Sequence, residues 1–319
     1  MSLREAEAQA VQFRDQVRAQ RGDTGPVNTF ASTKESKKTT LASGIVLYTD
    51  LSYESKYPNA FFDIWYPDGS GEKRPTVVFF HGGGFLFGDK MEGDPLAVGE
   101  ASDCTVITEL VKSGFNVVSA NYALAPEFRF PSQVIQANEL FAYLNKAGPE
   151  LDIFMDDVVI MGSSAGADLT ELYGLVVSNP AYVARLGIEP AIELSRIRGL
   201  VIDEAALDVK RMKSWIMVLT KTWLGTDDLI QGENALLADA AEHVTGAYPR
   251  SFIIASNQDM CFYESADALR KKLDQAKIEN RLFFVPANEA ELHHGFLTHM
   301  AQNPVSERCF KEILAFLGK

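Results

Sequence analysis

The apolar positions of this chain change their spacing along its length. Over residues 3 to about 20, Leu3, Ala6, Ala10, Val11, Phe13 and Val17 fall near one face of a 3.6-residue period, and "RGDTGP" then supplies a stop. That spacing predicts an amphipathic helix resting on something else. "ASTKESKKTT" is polar and reads as a linker or exposed loop, followed by strand candidates at "GIVLYTDLSY" and "AFFDIWYP". Beyond these, short and continuously apolar runs ("TVVFF", "NVVSANY", "VVIMGSS", "IRGLVIDE", "SFIIASN", "RLFFVP") alternate with helical stretches such as "SQVIQANELFAYLNKA" and "ESADALRKKLDQAKIE". Strands of that kind are buried on both faces, so the pattern predicts an α/β architecture, a mostly parallel sheet with helices on both sides. Between the strands near 198–203 and 251–255 the connection is too long for a plain crossover. Its Met212, Trp215, Ile216, Leu219 and Trp223 fall at helical spacing, either as a helix on the core or as the roof of an apolar pocket.

Composition narrows the picture. A length of 319 residues fits one large α/β domain with insertions, and 46% hydrophobic with 23% charged residues is ordinary for a soluble globular chain. The longest apolar runs are far too short to span a bilayer. The formal net charge of -13 repels phosphates and anionic surfaces, so neither a nucleic acid nor a membrane partner is expected. Cys104, Cys261 and Cys309 lack CxxC spacing, which argues against a disulfide framework or a zinc site, and they read as buried thiols. The first twenty residues are charged and lack an apolar core of the secretory kind, so cytoplasmic residence is the expectation.

Two stretches carry chemistry. "HGGGFLFGDK" sets three consecutive glycines directly after "TVVFF", which suits a loop whose backbone must come close to a guest and offer it unpaired N–H groups. "VVIMGSSAGADLT" runs from a strand through Gly162-Ser163-Ser164-Ala165-Gly166 into a helical pattern, the strand–turn–helix setting of a G-x-S-x-G nucleophile elbow. Taken alone the pentapeptide is equally a small-residue turn. Taken with the glycine loop, it predicts the Ser164 hydroxyl above the carboxyl end of the sheet, with the Ala165 N–H and the loop amides gathered around an oxyanion. A serine needs a base, and the chain has five histidines. His81 suits holding its own loop and His243 sits in the insertion, which leaves His293, His294 and His299, all after the last apolar strand. Asp259, just past "SFIIASN", reads alone as a loop carboxylate or helix cap. Its place between the serine and those histidines makes it the candidate acid.

These residues together resemble the α/β-hydrolases of the hormone-sensitive lipase type, carboxylesterases and lipases, from about residue 60 onward. "HGGGF" resembles the family's oxyanion loop, "NYALAPEFRFP" its tyrosine-to-glutamate segment, "GSSAGA" its elbow and "HGF" at 294–296 its histidine loop. The resemblance implies Ser164 as nucleophile, Asp259 as acid and His294 as base, with Gly83, Gly84 and Ala165 donating backbone N–H groups. It also implies a helical cap from residues 1–40 and 206–246 over a core of 41–205 and 247–319, no metal or organic cofactor, and, by family habit alone, a homodimer. The expected reaction is hydrolysis of small carboxylic esters with short to medium acyl chains. The same residues would serve an amidase or deacetylase, and the fold also carries non-catalytic ligand-binding proteins. The chain departs from the family pattern at Ser163, Ala167, Ala123 and Asp259-Met260-Cys261, where the family has aspartate, glycine, arginine and aspartate-proline-leucine. The departures bear on pocket shape and substrate preference.

Overall fold

All eight apolar runs form strands in the computed structural model, which describes residues 1–32, 34–90, 105–206, 214–258, 260–300 and 303–319. The strands are β1 (Lys37–Thr40), β2 (Val46–Ser52), β3 (Phe61–Tyr66), β4 (Thr76–Phe80), β5 (Asn116–Ala120), β6 (Val158–Ser163), β7 (Ile197–Asp203), β8 (Ser251–Ala255) and β9 (Asn280–Phe284). They make one sheet in the order β1-β2-β3-β5-β4-β6-β7-β8-β9, antiparallel from β1 to β5 and parallel from β5 to β9. β1 corrects the sequence reading of "KKTT" as linker. It carries no buried side chain, so no apolar pattern announces it. Its backbone pairs with β2, while its lysines discourage further pairing on the outer edge.

Burial on both faces is visible residue by residue. Val78, Phe80, Val118, Ile160, Ile202 and Ile253 enter one apolar cluster, and their chain neighbours Val77, Phe79, Val117, Val159, Val201 and Phe252 enter another across the sheet. This is the period of two expected of a pleated strand, with both faces covered. The helices are α1 (Leu3–Gln20), α2 (Val106–Lys112), α3 (Ser132–Ala147), α4 (Ala165–Val176), α5 (Pro180–Leu186), α6 (Ser214–Leu224), α7 (Glu233–Ala238), α8 (Met260–Gln275) and α9 (Pro304–Phe316). α3, α4 and α8 supply Leu140, Leu169 and Leu273 to the first cluster, and α2 and α9 supply Leu110 and Ile313 to the second. Cys309 on α9 is buried, as expected, whereas Cys104 lies outside the described residues.

α1 lies against α6. Lys221 on α6 donates to the Met1 carbonyl at 2.9 Å, Arg14 pairs with Glu127 at 3.2 Å, and Glu7 pairs with Arg129. Among the described residues no helix is long and apolar enough to cross a membrane.

Candidate active site

The turn between β6 and α4 is built by what its glycines leave out. A Cβ on Gly162 would stand 2.0 Å from the Gly166 carbonyl oxygen, and one on Gly166 would stand 2.0 Å from that of Phe80. Only hydrogen lets β4, β6 and α4 approach so closely. Ser164, between them, has φ 54° and ψ −119°, a backbone conformation that costs an L-residue roughly 1–3 kcal/mol and persists where the surroundings over-determine it. Here they do. The Ser164 N–H donates to the Asp203 carbonyl at 2.8 Å, and the Ser164 carbonyl accepts from Ala167 and Asp168 at 2.8 and 3.0 Å. Its side chain caps nothing in α4, which leaves the hydroxyl for other work.

The glycine loop meets this turn because β4 and β6 are parallel neighbours, with Phe80 opposite Gly162. A Cβ on Gly82 would lie 3.3 Å from that of Ser164. Gly83 and Gly84 have φ of 106° and 61°, and a Cβ on Gly83 would strike the Phe87 carbonyl oxygen at 2.1 Å. The Gly83 carbonyl is used, accepting from Leu86 and Phe87, but among the described residues the N–H groups of Gly83, Gly84 and Ala165 have no protein acceptor. His81 holds the loop, as its position suggested. Its Nδ1 donates to the Gly82 carbonyl at 2.7 Å, and its own carbonyl accepts from the Tyr122 hydroxyl at 2.7 Å. At the far end of the loop Lys90 is buried, with Nζ 2.9 Å from both Asp50 and Asp63. Burial alone would lower its pKa, but the carboxylates of Asp63, Asp89 and Asp50 outweigh it and hold the ammonium above its ordinary value.

Of the candidate histidines, His294 reaches the serine, its Nε2 standing 3.0 Å from Ser164 Oγ. The Phe262 ring stacks on the imidazole at 4.2 Å with 2° between planes. His293 is exposed, and the His243 Nε2 bonds the Leu236 carbonyl within the insertion. Because β9 lies three strands from β6, the chain must return across the sheet end, and Asn257 after β8 fastens that return. Its Nδ2 donates to the carbonyls of Val285 and Ala290, both at 2.7 Å, and its Oδ1 accepts from the Leu292 N–H at 2.9 Å. Asp259, the acid expected from the sequence, lies outside the described residues.

A second carboxylate stands beside the imidazole. Glu204 follows β7, is buried, and places Oε2 3.2 Å from His294 Nδ1 while accepting from the Gly295 N–H at 2.5 Å. Its neighbour Asp203 is buried, and burial, then the charge on Glu204, push it up to about 7 against the opposing pull of the Ser163 hydroxyl and of His294. Asp168, on the first turn of α4, is pushed up to about 8 by burial, opposed by the Ala206 N–H it accepts at 2.7 Å and by His294. Ser164, Ala165 and Asp168 line a cavity of about 370 Å³, counted to its open mouth, with Phe85, Trp215, Ile216, Leu219 and Trp223. Phe85 stacks on Trp223 at 4.0 Å and Trp215 is half exposed at the rim, whereas Phe296 belongs to the core on the opposite sheet face.

Sequence reasoning missed Glu204, Asn257 and Phe262. For Glu204 a signal was present: two acidic residues close the apolar run "IRGLVIDE", and a carboxylate at the end of a buried strand needs a reason to be there. Asn257 and Phe262 carried none, because an asparagine in a loop and a phenylalanine in an amphipathic helix are what those elements hold anyway.

Comparison with known proteins agrees with this architecture. A family model described as BD-FAE matches residues 62–273. Among solved structures, esterase B from Lactobacillus Rhamnosis superposes over 99% of this chain and 95% of its own with a TM-score of 0.75 at 18% identity. A bacterial heroin esterase covers 99% and 92% with a TM-score of 0.69 at 19% identity. At such identities the likeness shows the fold, that of the α/β-hydrolases. Esterase LipC of Mycobacterium tuberculosis is 26% identical over 40% of this chain and 30% of its own length. Tuliposide A-converting enzyme 2 of Tulipa gesneriana is 28% identical over 39% of this chain and 34% of its own. The matched segment thus spans about a third of these curated relatives.

Proposed function

The chain belongs to the BD-FAE family, of hormone-sensitive lipase type, and from that premise we propose that it hydrolyses carboxylic esters through an acyl-enzyme on Ser164. The observation that carries the reading is the 3.0 Å approach of His294 Nε2 to Ser164 Oγ, beside amides without acceptors among the described residues and at the foot of a largely apolar cavity. His294 takes the hydroxyl proton as Oγ attacks the substrate carbonyl. The N–H groups of Gly83, Gly84 and Ala165 receive the charge that develops on the carbonyl oxygen, without having to move. His294 then gives the proton to the departing alcohol, and a water repeats the cycle on the acyl-enzyme. Asp259 is the acid of this proposal, on the strength of its place after β8 and between Ser164 and His294 in the chain.

Substrate preference follows from the cavity. Helices α1 and α6 act as a two-part cap, in which α1 backs α6 and α6 presents Trp215, Ile216 and Leu219 to the acyl group, while Lys37–Thr40 belongs to the sheet. A small, aromatic-walled space suits short to medium acyl chains. Esterase B has been solved inhibited by a tributyrin phosphonate, which points the same way.

The test is a nitrophenyl ester series from acetate to palmitate, with fluorophosphonate labelling. Labelled wild type, unlabelled Ser164→Ala and a rate maximum at eight carbons or fewer are expected. A wild type that neither labels nor turns over any ester sinks the hydrolase reading, and a maximum at palmitate sinks the acyl preference. Trp215→Ala should move the maximum to longer chains by opening the rim.

A further inference from the structure

We propose that Glu204 is a positioning residue for this reaction, fixing the His294–Gly295 turn and presenting a negative charge to the imidazole edge opposite Ser164. The inference rests on the ester-hydrolase reading and adds to it a group outside the expected Ser164–His294–Asp259 set.

Four observations carry it. Asp203, the last residue of β7, is opposite Ser163 in the β6–β7 register, so the residue that follows it emerges beside the elbow. Glu204 has φ 64°, a left-handed conformation that a non-glycine residue adopts rarely and at a cost. Its side chain is wholly buried, with Oε1 lacking any partner among the described residues. The other oxygen, Oε2, bonds the Gly295 N–H at 2.5 Å and stands 3.2 Å from His294 Nδ1.

A buried carboxylate with one backbone hydrogen bond is poorly compensated while the imidazole is neutral. It is better compensated once the Ser164 proton has passed to Nε2 and the ring is cationic. The proton goes from Oγ to Nε2 and then to the leaving alcohol, and Glu204 carries none of it. The contact therefore favours the charged form of His294, the form reached in the transition state. Among the described residues, the other groups that act on the imidazole include the carboxylates of Asp203 and Asp168, the Ser164 hydroxyl and the uncharged Phe262 ring. From α9, Cys309 faces both Glu204 and Asp203, and its thiol is pushed well up, by burial first.

Glu204→Gln keeps the size and an acceptor for the Gly295 N–H while removing the charge. Its kcat should fall about 10- to 100-fold with KM within about threefold, and the acid limb of the kcat/KM profile should move to lower pH. Glu204→Asp, which restores the charge, should recover part of the kcat and return the acid limb toward its original position. A Glu204→Gln enzyme with kcat within threefold of wild type and an unmoved acid limb overturns the proposal. So does a loss of kcat that follows a fall in melting temperature while the acid limb stays put, since that marks a purely structural anchor. In either result an active, fluorophosphonate-labelled wild type leaves the hydrolase reading standing. A silent, unlabelled wild type removes both.

Discussion

The two flanks of Ser164 are built by different means. On the β4 side the glycine loop and the elbow are shaped by backbone meeting backbone, with hydrogen required at Gly162, Gly83 and Gly166 and a buried Lys90, paired with Asp50 and Asp63, closing the loop. On the β7–β9 side the imidazole arrives on a chain return fastened by side chains: Asn257 along the return, Glu204 at the turn, Phe262 on the ring. The first flank has no tolerance for an added atom. The second depends on particular functional groups whose loss leaves the packing in place. Substitutions on the first should therefore lower stability and activity together, and substitutions on the second should reach activity with a smaller thermodynamic change.

The largest effect is expected from Lys90→Met. It strands Asp63, which is fully buried, and should lower unfolding free energy by about 3–5 kcal/mol, measured by urea denaturation. Gly166→Ala comes next. Its new Cβ meets the Phe80 carbonyl oxygen, so β4 and α4 must separate, at a cost of about 3 kcal/mol and with little hydrolysis left. A well-folded, active Gly166→Ala enzyme would break the contrast at its strongest point. On the other flank Asn257→Ala leaves the Leu292 N–H and two carbonyls unpaired, worth about 1–3 kcal/mol in melting experiments. Its kcat should drop about tenfold, because a small displacement of the imidazole is enough.

The smallest effect is one of pH. Asp203 and Asp168 have folded-state values of about 7 and 8 against an ordinary 3.8, so the folded chain holds protons that the unfolded chain has already released. Their contribution to stability is greatest below the ordinary value and is lost as pH rises through 7 and 8. Asp168→Asn retains an acceptor for the Ala206 N–H and cannot ionise. Wild type and variant should differ least in acid, at or below the ordinary carboxylate value, and the variant's advantage should widen with pH until it melts clearly higher at pH 9. A difference in melting that stays constant from acid to pH 9 would remove Asp168 from this account.

The same contrast explains what was legible in the sequence. Strands buried on both faces leave unbroken apolar runs, and the half-buried β2 and β9 still carry enough apolar residues to stand out, so β2 to β9 could be marked from the pattern alone, and β1, with every side chain in or near solvent, could not. Gly162, Gly166 and the three loop glycines were legible because a steric demand for hydrogen writes itself as one residue type. The histidine flank was legible only by chain order and resemblance, which brought His294 to Ser164. Glu204 acts across strands, and its role depends on β7 lying next to β6, a fact of topology that no local spacing records.

The stacking of Phe262 on His294 bears on how the imidazole holds its orientation. A ring laid flat against a second aromatic plane can turn within that plane but tips out of it only by breaking the stack, so in the proposed cycle Nε2 keeps its aim through both halves of a turnover, steadied by a neighbour that takes no part in the bond-making.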